Sequence, residues 1–281
     1  MKYNPAHDDV ASGFIDGQRN AAGHRRRAEV DRVSVETISL RNVAKDYVLP
    51  NGDRLNVLDR ISCDIAGGTF SSILGPSGCG KSTLLGLIAG LDQPSSGNIS
   101  VGATRPQVGF VFQQPRLLNW RTVANNVVRP LEEMALSKAE RRDRARHYLK
   151  LVGLEGYEDY YPLQLSGGMQ QRTSIARALA IDPDILLMDE PFSGLDEWTA
   201  RRMREELIRI WQETQKTIVF VTHSISEAVF LSQQILIVSP KPARLLRCAP
   251  VELSYPRRYE DVGLFELQTQ LTRECLDCWG A

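Results

Sequence analysis

One run restricts the folds open to this chain more than any other: Gly75-Pro-Ser-Gly-Cys-Gly-Lys-Ser-Thr83. It fits G-x-x-x-x-G-K-[ST], a pattern that works only between a strand and a helix. Both flanks qualify. Phe70-Ser-Ser-Ile-Leu74 is short and mainly apolar, as a buried strand is, and Leu84-Leu-Gly-Leu-Ile-Ala89 reads as the body of a helix. Gly75, Gly78 and Gly80 let the backbone turn tightly and aim its N–H groups at one point. The helix N-terminus adds partial positive charge, so the loop is an anion cradle. In such a cradle Lys81 reaches the terminal phosphates of a nucleotide and the Ser82 hydroxyl ligates Mg²⁺. Pro76, Ser77, Cys79 and Thr83 complete the phosphate-contacting stretch. A glycine-rich turn with an accidental lysine is the competing reading, and the matched flanks speak against it. The loop alone does not say what hydrolysis would drive.

At 281 residues the chain has room for one large or two modest domains. Lys plus Arg and Asp plus Glu are 34 each, so no basic field argues for nucleic acid as a partner. No apolar run approaches the roughly 18 residues of a membrane helix, and the N-terminal residues lack the charged-then-apolar pattern expected of a secretion signal. The expectation from these features is a chain that stays in the cytoplasm, with any membrane role coming through a partner. Five cysteines, an odd number, read as free thiols. Cys275-Leu-Asp-Cys278 has metal-ligand spacing but lacks a second pair.

Residues 1–33 show little periodicity and are expected to form a mobile N-terminal tail. Within them, His24-Arg-Arg-Arg27 reads as a solvated charge run or a contact for acidic lipid. Next, Val33–Val48, Leu55–Leu58 and Ile61–Ile65 suggest an antiparallel flap, with a tight turn at Asn51-Gly52. Tyr47, near the end of the first strand, fits either an adenine-stacking ring or a half-buried strand tyrosine. Residues 90–97 are turn-rich. Val108–Phe112, Ile185–Met188, Thr217–Val221 and Gln234–Val238 read as core strands, the apolar runs among them typical of parallel sheets. A helical insertion occupies about 114–180, with a capped amphipathic helix over Ser137–Val152 and another helix opening at Ser166-Gly167-Gly168. Alternating strands and helices predict an α/β fold with a mostly parallel, doubly wound sheet.

Polar groups stand at the C-terminal ends of three of these strands: Gln113, Asp189-Glu190 and His223. That edge of an open α/β sheet is where ligands bind, and the glycine loop leaves its strand there too. Asp189 suits a Mg²⁺ carboxylate, and Glu190 a general base toward water. Gln113 fits a sensor of Mg²⁺ and water, and His223 a contact to the terminal phosphate. Each of the latter two also fits a plain structural role.

Leu165-Ser-Gly-Gly-Met-Gln-Gln-Arg172 changes the balance, because it resembles the signature of ABC-type ATPases. The order of parts resembles theirs as well: Tyr47, the Walker A loop Gly75–Thr83, Gln113, the signature, Walker B over Ile185–Glu190, a D-loop Ser193-Gly-Leu-Asp196, and His223. The resemblance runs from about Val35 to Ala243. It implies a P-loop NTPase (RecA-like) core over 34–243, with the antiparallel flap and inserted helical subdomain, and a C-terminal extension over 244–281. It also implies ATP and Mg²⁺ as ligands. A narrower similarity, to the nitrate, sulfonate and taurine importer ATPases, rests on Phe112–Trp120, Thr122–Asn126, His223–Leu231 and Ser239–Pro242. Asn119, Gly194 and Ser224 stand where that group commonly has Pro, Ala and Asp.

The resemblance implies a head-to-tail homodimer in which Ser166, Gly167 and Gly168 of one copy face the ATP held by the other, and it adds Asp196 of the D-loop to the nucleotide-binding residues. It implies transmembrane permease subunits docked near Gln113–Val128, where Arg116, Leu117, Leu118 and Trp120 fit a docking rim or ordinary packing. A periplasmic or surface solute-binding protein would act indirectly. Catalysis falls to Glu190, His223, Lys81 and Gln113, and Mg²⁺ to Ser82, Gln113 and Asp189. The rival reading is a soluble ABC ATPase acting on nucleic acid or ribosomes, which neutral net charge does not support.

Overall fold

The computed structural model describes residues 37–102 and 106–280. The tail over 1–33 and its His24–Arg27 cluster lie outside them. Among the described residues no helix is long and apolar enough to cross a membrane.

Two sheets organise the chain. β1 (Ile38–Val48), β2 (Arg54–Ile65) and β4 (Ser96–Val101) form an antiparallel sheet in the order β2-β1-β4. The larger sheet runs β5-β6-β7-β3-β8-β9: β5 (Val108–Val111), β6 (Ile185–Asp189), β7 (Thr217–Thr222), β3 (Phe70–Leu74), β8 (Gln234–Val238) and β9 (Leu245–Pro250). Its first five strands are parallel, and β9 is antiparallel to β8.

Every residue of β3, β6 and β7 is buried, as expected for strands covered on both faces. Alternation sorts their side chains into two cores. Phe70, Leu186, Met188, Ile218, Phe220, Ile235 and Ile237 face the packed helices. Ile73, Ile185, Leu187, Val219, Val221, Leu236 and Val238 face α1 (Lys81–Ile88) and the antiparallel sheet.

The insertion between β5 and β6 holds α2 (Val123–Val128), α3 (Lys138–Leu151) and α4 (Gly167–Ala180). α3 begins where a capping box predicts: Ser137 Oγ accepts from Glu140 N at 3.2 Å, and Glu140 Oε2 accepts from Ser137 N at 2.7 Å. α5 (Glu197–Thr214) buries Met203, Leu207, Ile210 and Trp211. α6 (Ile225–Leu231) and α7 (Val262–Trp279) follow β7 and β9.

Three strands depart from the sequence reading. β2 is one strand rather than two, because Arg60 adopts φ 49° at the join and the pairing with β1 slips there instead of breaking. β4 begins in the last two residues read as turn-rich and runs past them, has no buried residue, and is held by pairing with β1. β9 extends the main sheet into the C-terminal extension, for which no strand was expected.

Candidate nucleotide site

The parallel register brings the strand ends level. Leu74 lies opposite Thr222, Asp189 opposite Val221, and Val111 opposite Met188. The residues that follow each strand therefore meet at one edge. Glycine is required twice in the loop that leaves β3. A Cβ on Gly75 would stand 2.5 Å from Val238 Cγ2. Gly80 adopts φ 119° against Val57.

Gly80 is also the N-cap of α1 and supplies no side-chain cap, and no acidic residue lies in the first turn. By contrast, Thr122, Ser137, Ser166, Asp196 and Ser224 all cap their helices with a side-chain oxygen. The first N–H groups of α1 are thus left for an anion, as a phosphate cradle requires. Lys81 Nζ donates to the carbonyls of Gly75 and Pro76, each at 2.9 Å, and stands 4.0 Å from Glu190 Oε1. Ser77 and Gly78 are exposed at the loop crest. Cys79 is 1 % exposed and packs into the core behind the loop, where burial raises its thiol pKa. Only its backbone belongs to the cradle.

Ser82 Oγ donates to Asp189 Oδ1 at 2.9 Å. Burial holds the Asp189 carboxyl above the usual range; the Ser82 hydrogen bond opposes this shift. A hydroxyl and a carboxylate at this spacing are the hard oxygen donors that suit Mg²⁺. Glu190 has φ 43°, a conformation costing about 1–2 kcal/mol in a residue with a side chain. Its N–H donates to Val221 O at 3.1 Å, and its carbonyl accepts from Ser193 N and Oγ at 3.2 and 3.1 Å. The turn aims the carboxylate inward: Oε1 lies 3.3 Å from His223 Nδ1, and Oε2 accepts from Gln113 Nε2 at 3.4 Å. Lys81, Ser82, Gln113, Asp189, Glu190 and His223 therefore form one constellation with opposed charges and a carboxylate able to receive a proton.

Other expected site residues lie elsewhere. Ser166 caps α4, its Oγ accepting from Met169 N at 3.3 Å, and Gly167 is exposed beside it. Asp196 caps α5 by accepting from Thr199 N at 3.0 Å, and that bond lowers its pKa. The two turns adjoin, since a Cβ on Gly168 would meet Leu195 Cδ2 at 3.1 Å. Among the described residues no hydrogen bond or ion pair joins this second group to residues 75–83. Tyr47 is 39 % exposed; its hydroxyl donates to Asp92 Oδ2 at 3.1 Å, and Lys45 Nζ stands 5.0 Å from its ring centroid.

Several contributors were given no role of their own by the sequence. Gln171 Nε2 donates to Phe112 O at 3.4 Å, and Arg177 donates to Pro115 O and Arg116 O, each at 2.9 Å. These bonds tie α4 to the Gln113 loop. Asn126, 1 % exposed, accepts from Leu118 N at 2.7 Å and donates to the carbonyls of Leu118, Arg121 and Thr122. It holds the turn that leaves Trp120 75 % exposed. A polar residue buried among apolar neighbours was the available signal, but burial is not legible before the fold is known.

Sheet, loop and constellation define a P-loop nucleoside triphosphatase. Comparison with known proteins narrows that class. The profile of the ABC transporter family matches residues 58–193. The aliphatic sulfonates import ATP-binding protein of Bacillus thuringiensis is 39 % identical over 243 residues, which cover 85 % of this chain and 95 % of that protein. The taurine import ATP-binding protein of Rhizobium johnstonii is 46 % identical over 220 residues, 75 % of this chain and 82 % of the other. A solved ATP-binding cassette, described as a dimer in a post-hydrolysis state bound to ADP and Pi, is 36 % identical with a TM-score of 0.70, covering 77 % of this chain and all of that one. The chain belongs to the ABC transporter family, and the activity of such a cassette is ATP hydrolysis.

Proposed function

We propose that this protein is the energy subunit of a membrane importer for a small sulfonate- or taurine-like anion. The observation that carries the catalytic half is the convergence of Lys81, Glu190, His223 and Gln113 above an uncapped helix N-terminus. The relatives named for sulfonate and taurine import support the transport half.

In the proposed reaction Glu190 takes a proton from water as its oxygen attacks the γ-phosphorus, and the bond to the ADP oxygen breaks. Lys81 and the loop N–H groups hold the phosphates and oppose the charge that develops on them. His223 fixes Glu190 and faces the terminal phosphate, while Gln113 orients the water. Ser82, Asp189 and Gln113 would hold Mg²⁺, which supplies positive charge against the phosphate oxygens when bound. The exposed ring of Tyr47 offers a stacking surface for adenine.

Ser166–Gly168 and Asp196 stand apart from the loop of their own chain. We assign them to the ATP held by a second copy, in a head-to-tail homodimer. The N-terminus of α4 would then meet the γ-phosphate from the opposite side. ATP favours the closed pair and ADP the open one, and that difference in affinity drives the cycle. Trp120, Arg116 and the neighbouring leucines form the surface for transmembrane permease subunits, which would hold the protein at the cytoplasmic face of the membrane. A solute-binding protein would choose the substrate without touching this chain.

Affinity purification of the tagged chain from detergent-solubilised membranes tests the transport reading. A multi-helix permease should co-purify from the parent, and less of it from Trp120→Glu. A chain recovered free of membrane protein, or bound to ribosomes or nucleic acid, would refute it.

A further inference from the structure

Beside the catalytic edge lies a charged network that the proposed hydrolysis does not use. Arg204, on α5, is 3 % exposed. Its Nη2 donates to Glu197 Oε1 at 2.6 Å, and its Nη1 stands 3.7 Å from Glu227 Oε1. The guanidinium also lies 5.8 Å from the ring centroid of Phe192 and 5.5 Å from that of Tyr259. On the far side, Glu227 Oε2 accepts from Thr222 Oγ1 at 2.6 Å. That hydroxyl in turn accepts from Ser224 N at 3.0 Å.

Thr222 and Ser224 flank His223 in the chain. One hydroxyl therefore brackets the histidine from both sides, and Glu227 fixes which way that hydroxyl points. Ser224 Oγ closes the turn by accepting from Glu227 N at 3.3 Å. The side chain of His223 is 54 % exposed, so its own packing does little to hold it 3.3 Å from Glu190. Its backbone must supply the precision. Buried ion pairs are poor stabilisers compared with apolar packing of equal volume. A charged pair under this turn thus has more to offer geometry than stability.

We infer that Glu227, held by Arg204, is a positioning residue for ATP hydrolysis that acts through Thr222 on His223. This rests on the catalytic reading of His223 and Glu190 given above. The network places the bracketed turn, and loosening it moves the imidazole off the carboxylate rather than removing a group that touches ATP.

The test is a double-mutant cycle on the full chain, with steady-state ATPase kinetics and binding of a fluorescent ATP analogue. Glu227→Gln should lower kcat by on the order of 10- to 100-fold while leaving nucleotide affinity near that of the parent. In that background His223→Ala should cost little more, because its partner is already misplaced; independent effects would multiply. Thr222→Val should match Glu227→Gln, and Thr222→Ser, which keeps the hydroxyl, should restore the rate. The Thr222 pair carries the test if Glu227→Gln fails to fold. Multiplying losses for Glu227 and His223, or equal rates for Thr222→Val and Thr222→Ser, would overturn the inference alone. Parent kcat in His223→Ala would overturn the catalytic reading of His223, and the inference with it.

Discussion

Replacing Glu190 by Gln keeps shape and removes one charge at the centre of the constellation. In the parent, Glu190 Oε1 stands 4.0 Å from Lys81 Nζ, with side chains 15 % and 4 % exposed. At an effective dielectric near 20, that attraction is at most about 4 kcal/mol. Lys81 keeps two carbonyl acceptors at 2.9 Å, so the lysine is not orphaned and the fold should survive. Removing a carboxylate beside the γ-phosphate also removes like-charge repulsion, so ATP should bind as tightly as in the parent or more tightly. Turnover should fall by about 10²- to 10⁴-fold, the usual loss for a general base. That corresponds to about 3–5 kcal/mol of barrier. Phosphate release in single-turnover and steady-state assays, run beside nucleotide binding, separates the two effects. Parent-rate hydrolysis would show that another group takes the proton. Loss of ATP binding would show that Glu190 holds the loop rather than the water.

Two further outcomes follow from buried groups outside the loop. Arg257, 6 % exposed, donates five hydrogen bonds to the carbonyls of Val229, Phe230, Ser232 and Leu253. Arg257→Met should cost about 3 kcal/mol or more by orphaning those acceptors, and lower Tm by on the order of 10 °C in a scan of thermal unfolding. Burial raises the pKa of Glu227, with the Thr222 and Arg204 contacts opposing it. The folded pKa then exceeds the unfolded one, so this group favours folding most below pH 4.5 and loses that contribution as pH rises through the folded value. Glu227→Gln removes the loss, so its stability relative to the parent should improve from pH 4.5 toward neutrality in denaturant titrations. A difference that is flat with pH would contradict the burial argument.

Much of this was legible before folding because local chemistry repeated global structure. Ile185–Met188 and Thr217–Val221 are apolar enough to be buried on both faces, and a polar group directly after such a strand falls on the ligand edge. β4 was not legible, since Ser96–Val101 offers no buried residue and depends on β1 for its pairing. The continuity of β2 was hidden because Arg60, with an ordinary side chain, takes a left-handed turn. At the site, Lys81, Ser82, Asp189 and Glu190 followed from motif spacing. The inward side chain of Cys79 did not, because a loop pattern does not say which side faces the core. Gln171, Arg177 and Arg204 act on groups distant in sequence, and only the packed helices bring them within hydrogen-bonding or ion-pair range.

The central claim is that residues 75–83 make half of a nucleotide site and Ser166–Gly168 of another copy make the rest. Light scattering of Glu190→Gln with ATP tests it most directly, with and without Ser166→Arg added. Glu190→Gln should sediment and scatter as two chains when ATP is present. The double variant should remain a single chain while still binding ATP. Dimers that form despite Ser166→Arg, or ATP-loaded Glu190→Gln that stays monomeric, would contradict the shared site.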